Sequence, residues 1–101
     1  MQTVTRKRIE ILADAPLVPR VLTALKQAGI RGHTVLPALS GTGRSGDWSE
    51  ERLTGSTKQI VLALASEANA QAFVDLAGPL LDSHHLLLTI MDVSVVRGER
   101  F

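Results

Sequence analysis

Between the apolar runs Thr34–Leu39 and Lys58–Ala65 lies a long polar stretch, within Gly32–Ser56, that carries the hexapeptide Gly41-Thr42-Gly43-Arg44-Ser45-Gly46. Connections beyond about 12–15 residues without structure of their own are usually functional or disordered. A chain of 101 residues has room for one domain, residues 1–101, and one modest hydrophobic core. The rest of the chain therefore reads as the scaffold on which this loop is carried.

Composition narrows what the scaffold can serve. Eleven basic residues against ten acidic ones leave a net charge of +1, so the total gives no footprint for nucleic acid. The absence of cysteine removes disulfides and thiolate metal sites and fits a cytoplasmic protein. The N-terminal Met-Gln-Thr-Val-Thr-Arg-Lys-Arg has no apolar segment behind it. No run approaches the roughly 18 apolar residues of a membrane helix, so direct membrane insertion is not expected.

Taken in order, Thr3 to Ala13 alternates, with Ile9, Ile11 and Ala13 on one face, and predicts a strand. Asp14 is placed to cap the next segment and Pro16 suits its first turn. Val18, Val21, Leu22, Leu25 and Ala28 then make one helical stripe that Gly29 ends. His33 to Ser40 predicts a second strand, kept to a sheet edge by Pro37. Ile60 to Ala65 is apolar on both faces and predicts a central strand. Ser66 and Glu67 open a second helix with Asn69, Ala72, Phe73, Leu76 and Leu80 on one face, expected to be short because Gly78-Pro79 weakens it. His85 to Arg97 predicts a last strand, also apolar on both sides and also central.

The order β-α-β-(loop)-β-α-β folds through two right-handed crossovers into an α+β, ferredoxin-like sandwich with both helices on one face. The other face is then left apolar, and other copies of the chain are the economical cover.

The loop spells G-x-G-x-x-G, but a dinucleotide fingerprint needs a helix of several turns directly after it. Here Asp47-Trp48-Ser49-Glu50-Glu51-Arg52-Leu53 allows a turn or two before Thr54-Gly55-Ser56, so that reading fails. A Walker A loop is also absent. Three glycines with Thr42, Arg44 and Ser45 still hold the ingredients of an anion nest, and a flexible surface loop is the competing reading. Trp48, alone in a polar segment, can anchor a partner or fold back on its own subunit. Arg97 and Arg100, after the last strand, can reach a neighbouring subunit or a bound phosphate, or can be a solvated terminus. His84 and His85 are adjacent and point apart on a strand, so they cannot chelate one ion together. Asp47, Glu50, Glu51 and Asp75 have no metal-ligand spacing, and no serine has a base and an orienting partner near it in sequence, so an enzyme is not indicated.

Gly32-His33-Thr34-Val35, followed by Ser40-Gly41-Thr42-Gly43-Arg44, resembles the second strand and the start of the T-loop in PII signal-transduction proteins. Val95-Val96-Arg97-Gly98-Glu99-Arg100 is similar to their arginine-bearing tail. The B-loop lysine of classical PII proteins has no counterpart at Asp82-Ser83-His84-His85, and the uridylylated tyrosine is missing. The resemblance is closer to the PII-like branches, the carboxysome-associated and bicarbonate-transporter-associated proteins.

That resemblance implies a non-catalytic homotrimer with an adenine nucleotide in each cleft between subunits. Without the B-loop lysine, ADP, AMP or cyclic AMP is favoured over ATP. It implies that His33, Thr34 and Val35 line the adenine or ribose side, that Gly41 to Gly46 (Gly41, Thr42, Gly43, Arg44, Ser45, Gly46) wrap the phosphate, that Arg97 and Arg100 reach it from a neighbour, and that Ser40 and Gln59 also belong to the nucleotide site. Bicarbonate could be held by Arg44. The T-loop, residues 40–56, would engage a target protein through Trp48, Arg52 and Leu53, either a membrane transporter or a carboxysome component, in inorganic-carbon metabolism. The alternative is a trimeric metal-tolerance-type binding protein of the same fold, in which the histidines would matter.

Overall fold

The structure, a computed structural model, describes residues 2–44, 46–49, 57–97 and 99. Strand β1 spans Thr3–Asp14, a 3-10 turn covers Ala15–Leu17, helix α1 runs Val18–Gln27 and strand β2 runs Thr34–Ala38. Two short strands, β3 (Ser40–Gly43) and β4 (Gly46–Ser49), precede β5 (Lys58–Ala65), α2 (Glu67–Ser83) and β6 (Leu87–Val96). The main sheet has the order β2-β5-β1-β6, and each neighbouring pair is antiparallel. Hence β1 and β2 run parallel with β5 between them, β5 and β6 run parallel with β1 between them, and each helical crossover skips one strand. This is the ferredoxin-like α+β fold implied by the sequence.

Alternation on the central strands decides which side the helices cover. Ile9, Ile11 and Ala13 of β1 are buried together with Val61, Ala63 and Ala65 of β5, and the register sets Ile9 opposite Ala63 and Ile11 opposite Val61. Paired residues share a face. On this face α1 contributes Val18, Val21, Ala24 and Leu25, and α2 contributes Ala70, Phe73, Ala77 and Leu80. Phe73, Ile9, Ile11, Leu25, Val21 and Val61 are fully enclosed, each contributing about 1.5–3 kcal/mol of apolar burial.

Helix α1 ends in a Schellman motif. Gly29 has φ +84, its N–H donates to the Lys26 carbonyl at 3.0 Å, and the Ile30 N–H donates back to Leu25 at 3.0 Å. Leu25 and Ile30, the apolar pair that accompanies the motif, are both buried.

Three expectations are corrected. Asp14 has the extended backbone of a cap but makes no side-chain cap hydrogen bond; its carboxylate accepts from Lys58 Nζ at 2.6 Å instead, because β1 and β5 set the two residues side by side. Helix α2 is not short. It continues through Pro79 to Ser83, with its stripe at Ala70, Phe73, Ala77 and Leu80; Phe73 and Leu80 are buried as expected, whereas Ala70 and Ala77 take the places expected of Asn69 and Leu76, and Leu76 is exposed. Packing of Ala77 and Leu80 on the core outweighs the hydrogen bond that proline cannot make. Lastly, β6 is not central but forms the edge opposite β2; Pro37 is on an edge, as expected, opposite Gln59 of β5.

The face away from the helices carries a continuous apolar row. Leu36 pairs with Ile60, Ile60 with Leu12, and Leu12 with Leu87, one residue from each strand. Leu36 and Leu87 are 41% and 59% exposed, so a sizeable apolar strip faces outward across the whole sheet.

Candidate functional site

Strand β2 connects two features. At its start, Gly32, His33 and Thr34 line a cavity of about 430 Å³ whose other walls are Arg8, Leu62, Ala63 and Leu64. Register explains the grouping: Thr34 is opposite Leu62 and Arg8 opposite Leu64, so these side chains share the face away from the helices. Arg8 donates from Nη1 to Glu10 Oε2 at 3.0 Å, and both are half-buried. Val35, next in the strand, alternates to the helix side opposite Val61.

At its end, the chain enters the hexapeptide, which forms a β-ribbon. Strands β3 and β4 pair antiparallel, with Gly41 opposite Trp48, Thr42 opposite Asp47 and Gly43 opposite Gly46. The Thr42 hydroxyl donates to Asp47 Oδ1 at 2.7 Å. A Cβ at Gly41 would overlap the Trp48 ring, so the indole can rest there only against a glycine, and Gly46 has φ +100. The half-buried indole thus folds back onto its own ribbon, with Lys58 Nζ 5.4 Å from the ring centroid. The same ammonium holds Asp14. Lys58 therefore ties the ribbon to β1. Arg44 is exposed at the ribbon's turn and makes no hydrogen bond or ion pair among the described residues. Ser40 opens the ribbon, and Ser45, Arg52, Leu53 and Arg100 lie outside the described residues.

A strand of five residues spans roughly 17 Å, comparable with the length of an extended nucleotide. One edge therefore joins a pocket with apolar walls to a glycine-rich ribbon bearing a free guanidinium. Gln59, half-buried on β5, lies beside Pro37 on the way. Arg97, with φ 59, follows Val96, which pairs with Thr3. It is thus at the far edge of the sheet and at the end opposite the ribbon. Within one chain Arg97 and Gly41–Gly46 do not meet.

His84 caps α2, and His84 and His85 are exposed. Among the described residues no three histidine, aspartate or glutamate side chains come together as metal ligands, and no helix is long and apolar enough to cross a membrane. Lys7 is held above the ordinary lysine value of 10.5 by its hydrogen bond with Asp92, on the helix side and away from the cavity. Sequence reasoning missed Arg8, Leu62 and Leu64. The alternation of Arg8, Glu10 and Leu12 was visible, but their meeting with Thr34 depends on register across β5.

The elements define a ferredoxin-like α+β domain with a glycine-rich ribbon at one end of its edge strand. The chain belongs to the nitrogen regulatory protein P-II family, whose model matches residues 6–100. Among solved structures it is similar to CPII, a nitrogen regulatory PII-like protein from Thiomonas intermedia K12 bound to ADP, AMP and bicarbonate, with 20% identity, TM-score 0.82, and 95% of this chain and 100% of that one covered. A putative PII-like signalling protein from Thermus thermophilus matches with 22% identity, TM-score 0.85, and 100% and 99% coverage. CutA from Synechococcus elongatus PCC7942 shares the fold at 8% identity and TM-score 0.71, with 99% and 91% coverage. No curated protein sequence matches.

Proposed function

We propose that this chain is a non-catalytic PII-like regulator that binds an adenine nucleotide along the β2 edge, from the cavity at His33 and Thr34 to the ribbon at Gly41–Gly46. The observation that carries the reading is the continuity of that edge: apolar walls suited to a purine at one end, and the glycine-rich ribbon with the exposed Arg44 at the other. CPII, of the same fold, binds ADP, AMP and bicarbonate. On this reading ADP or AMP is the effector, with cyclic AMP and ATP as weaker alternatives, and bicarbonate rests on Arg44. Val35 and Gln59 lie on the helix side of their strands, away from the base pocket, and Ser40 and Ser45 supply hydroxyls to the phosphates, the Thr42 hydroxyl being committed to Asp47.

The site is completed between copies. Arg97 and Arg100 reach the phosphates from a neighbour, since in one chain Arg97 is at the wrong end of the sheet. The apolar row Leu36–Ile60–Leu12–Leu87 supports a homotrimer whose sheets face one another. Residues 1–101 act as one domain and residues 40–56 as its T-loop. A ligand that contacts the ribbon in only one arrangement shifts the population of T-loop states by its differential affinity. Trp48, Arg52 and Leu53 then present themselves to a cytoplasmic target, a carboxysome component or a bicarbonate transporter of inorganic-carbon metabolism.

Calorimetry with AMP, ADP, ATP and cyclic AMP, each with and without bicarbonate, tests the reading. ADP or AMP is expected to bind below millimolar, and Arg44→Ala to weaken binding about tenfold, or ~1.4 kcal/mol. Absence of binding by all four nucleotides would remove it.

A further inference from the structure

A second cavity is larger than the one on the β2 edge. It lies on the helix side at the end of α1, has a volume of about 600 Å³, and is floored by Leu22 and Ile30 with Lys26, Arg31 and His33 around it. Its size is within the range of small-molecule pockets, about 300–1,000 Å³. No carboxylate lines it. Glu99 lies across the Gly29–Gly32 loop in a separate depression of about 190 Å³ and forms no ion pair with Arg31.

The state of the cations singles this place out. Lys7, Arg8 and Lys58 are each committed to a carboxylate. Lys26 and Arg31 have no hydrogen-bond or ion-pair partner among the described residues, yet they line one concavity. Two unpaired cations around a shared hollow give it a positive potential that attracts an anion. Their backbone is also fixed. Lys26 is in the last turn of α1, Arg31 directly follows the buried Ile30, and the Schellman bonds Gly29 N–H to Lys26 O and Ile30 N–H to Leu25 O lock the bend between them. Those same bonds satisfy carbonyls at the negative end of the helix, which reduces the repulsion an approaching anion would meet. The floor is likewise rigid, because Ile30 is buried and Leu22 packs on the core.

From this arrangement we infer a second ligand site, separate from the β2 edge, for a small dianionic organic phosphate. Arg31 offers a planar fork to phosphate oxygens and Lys26 a point charge. Leu22 and Ile30 accept the apolar side of the ligand. His33 lines both this cavity and the one at Thr34, so the two sites share one wall.

The test is an amide-resolved NMR titration of the full chain with inorganic pyrophosphate as the probe. Saturable shifts are expected at Lys26, Gly29, Ile30, Arg31 and His33. In Lys26→Gln/Arg31→Gln these shifts should require at least tenfold more pyrophosphate, with the spectrum otherwise preserved, because both side chains are exposed. Saturating ADP should leave the pyrophosphate shifts at Lys26 and Arg31 in place. The inference is overturned if pyrophosphate leaves these amides unmoved, if the shifts persist undiminished in the double variant, or if ADP displaces pyrophosphate from them, which would make the two cavities one site.

Discussion

At the scale of single residues, Gly41 and Lys58 decide how the ribbon is held. The Trp48 ring occupies the space a Cβ at Gly41 would need, so Gly41→Ala should expel the indole. The expected result is a red-shifted Trp48 emission with an almost unchanged unfolding midpoint, since the ribbon is outside the main sheet and its core. Unchanged emission would mean that the indole does not rest on Gly41. Sequence alone left Trp48 open between an outward anchor and a folded-back ring. No pattern in a polar segment distinguishes them, because the choice is made by the cross-strand pairing of Gly41 with Trp48. Asp14 is a similar case. Its spacing before Pro16 suggested a helix cap, and a lysine distant in sequence took its carboxylate.

At the scale of elements, the strands and helices were legible where periodicity was strong and hidden where tertiary contacts override it. Val18, Val21 and Leu25 spelled out α1, and Ile60 to Ala65 spelled out β5, because both periods serve a single buried face. Helix α2 was read as short because local propensity counts Gly78-Pro79 as a stop, whereas Ala77 and Leu80 are buried on the far side of that signal. Ser66 caps its start, accepting from the Asn69 N–H at 3.1 Å. If Pro79 is tolerated only through packing, Pro79→Ala should restore a backbone hydrogen bond and stabilise the fold by about 1–3 kcal/mol in urea denaturation. A loss of stability would show that Pro79 itself is a required part of the core packing. The hexapeptide is the opposite case. Glycine-rich letters look like an open loop, but Thr42 and Asp47 form a cross-strand hydrogen bond and Trp48 covers Gly41, which gives the ribbon its own small set of contacts.

For the whole molecule, the row Leu36–Ile60–Leu12–Leu87 is the feature a single chain leaves unresolved. The sequence foretold it, since β5 is apolar on both faces and two helices cover only one. Leu12→Asp puts a charge in the middle of that row, opposite Ile60 and Leu87, and should convert a trimer by light scattering into monomer while leaving the helix-side core intact. A wild-type chain that is monomeric at micromolar concentration would contradict the assembly. The topology also explains why half of the proposed site could not be read from one chain: Arg97 and the ribbon are at opposite ends of the sheet, so only a second copy can bring them together.

The central claim, a nucleotide cleft shared between copies, is tested most directly by mixing two crippled variants. Arg44→Ala lacks the ribbon guanidinium and Arg97→Ala lacks the tail guanidinium, and each alone should bind ADP weakly in calorimetry. After the two are unfolded and refolded together, random trimers contain clefts built from an intact ribbon and an intact neighbouring tail, and the account predicts that tight ADP binding returns at about a quarter of the sites. A mixture that binds ADP no better than the separate variants, although the wild-type chain binds it tightly, would contradict a cleft built from two subunits.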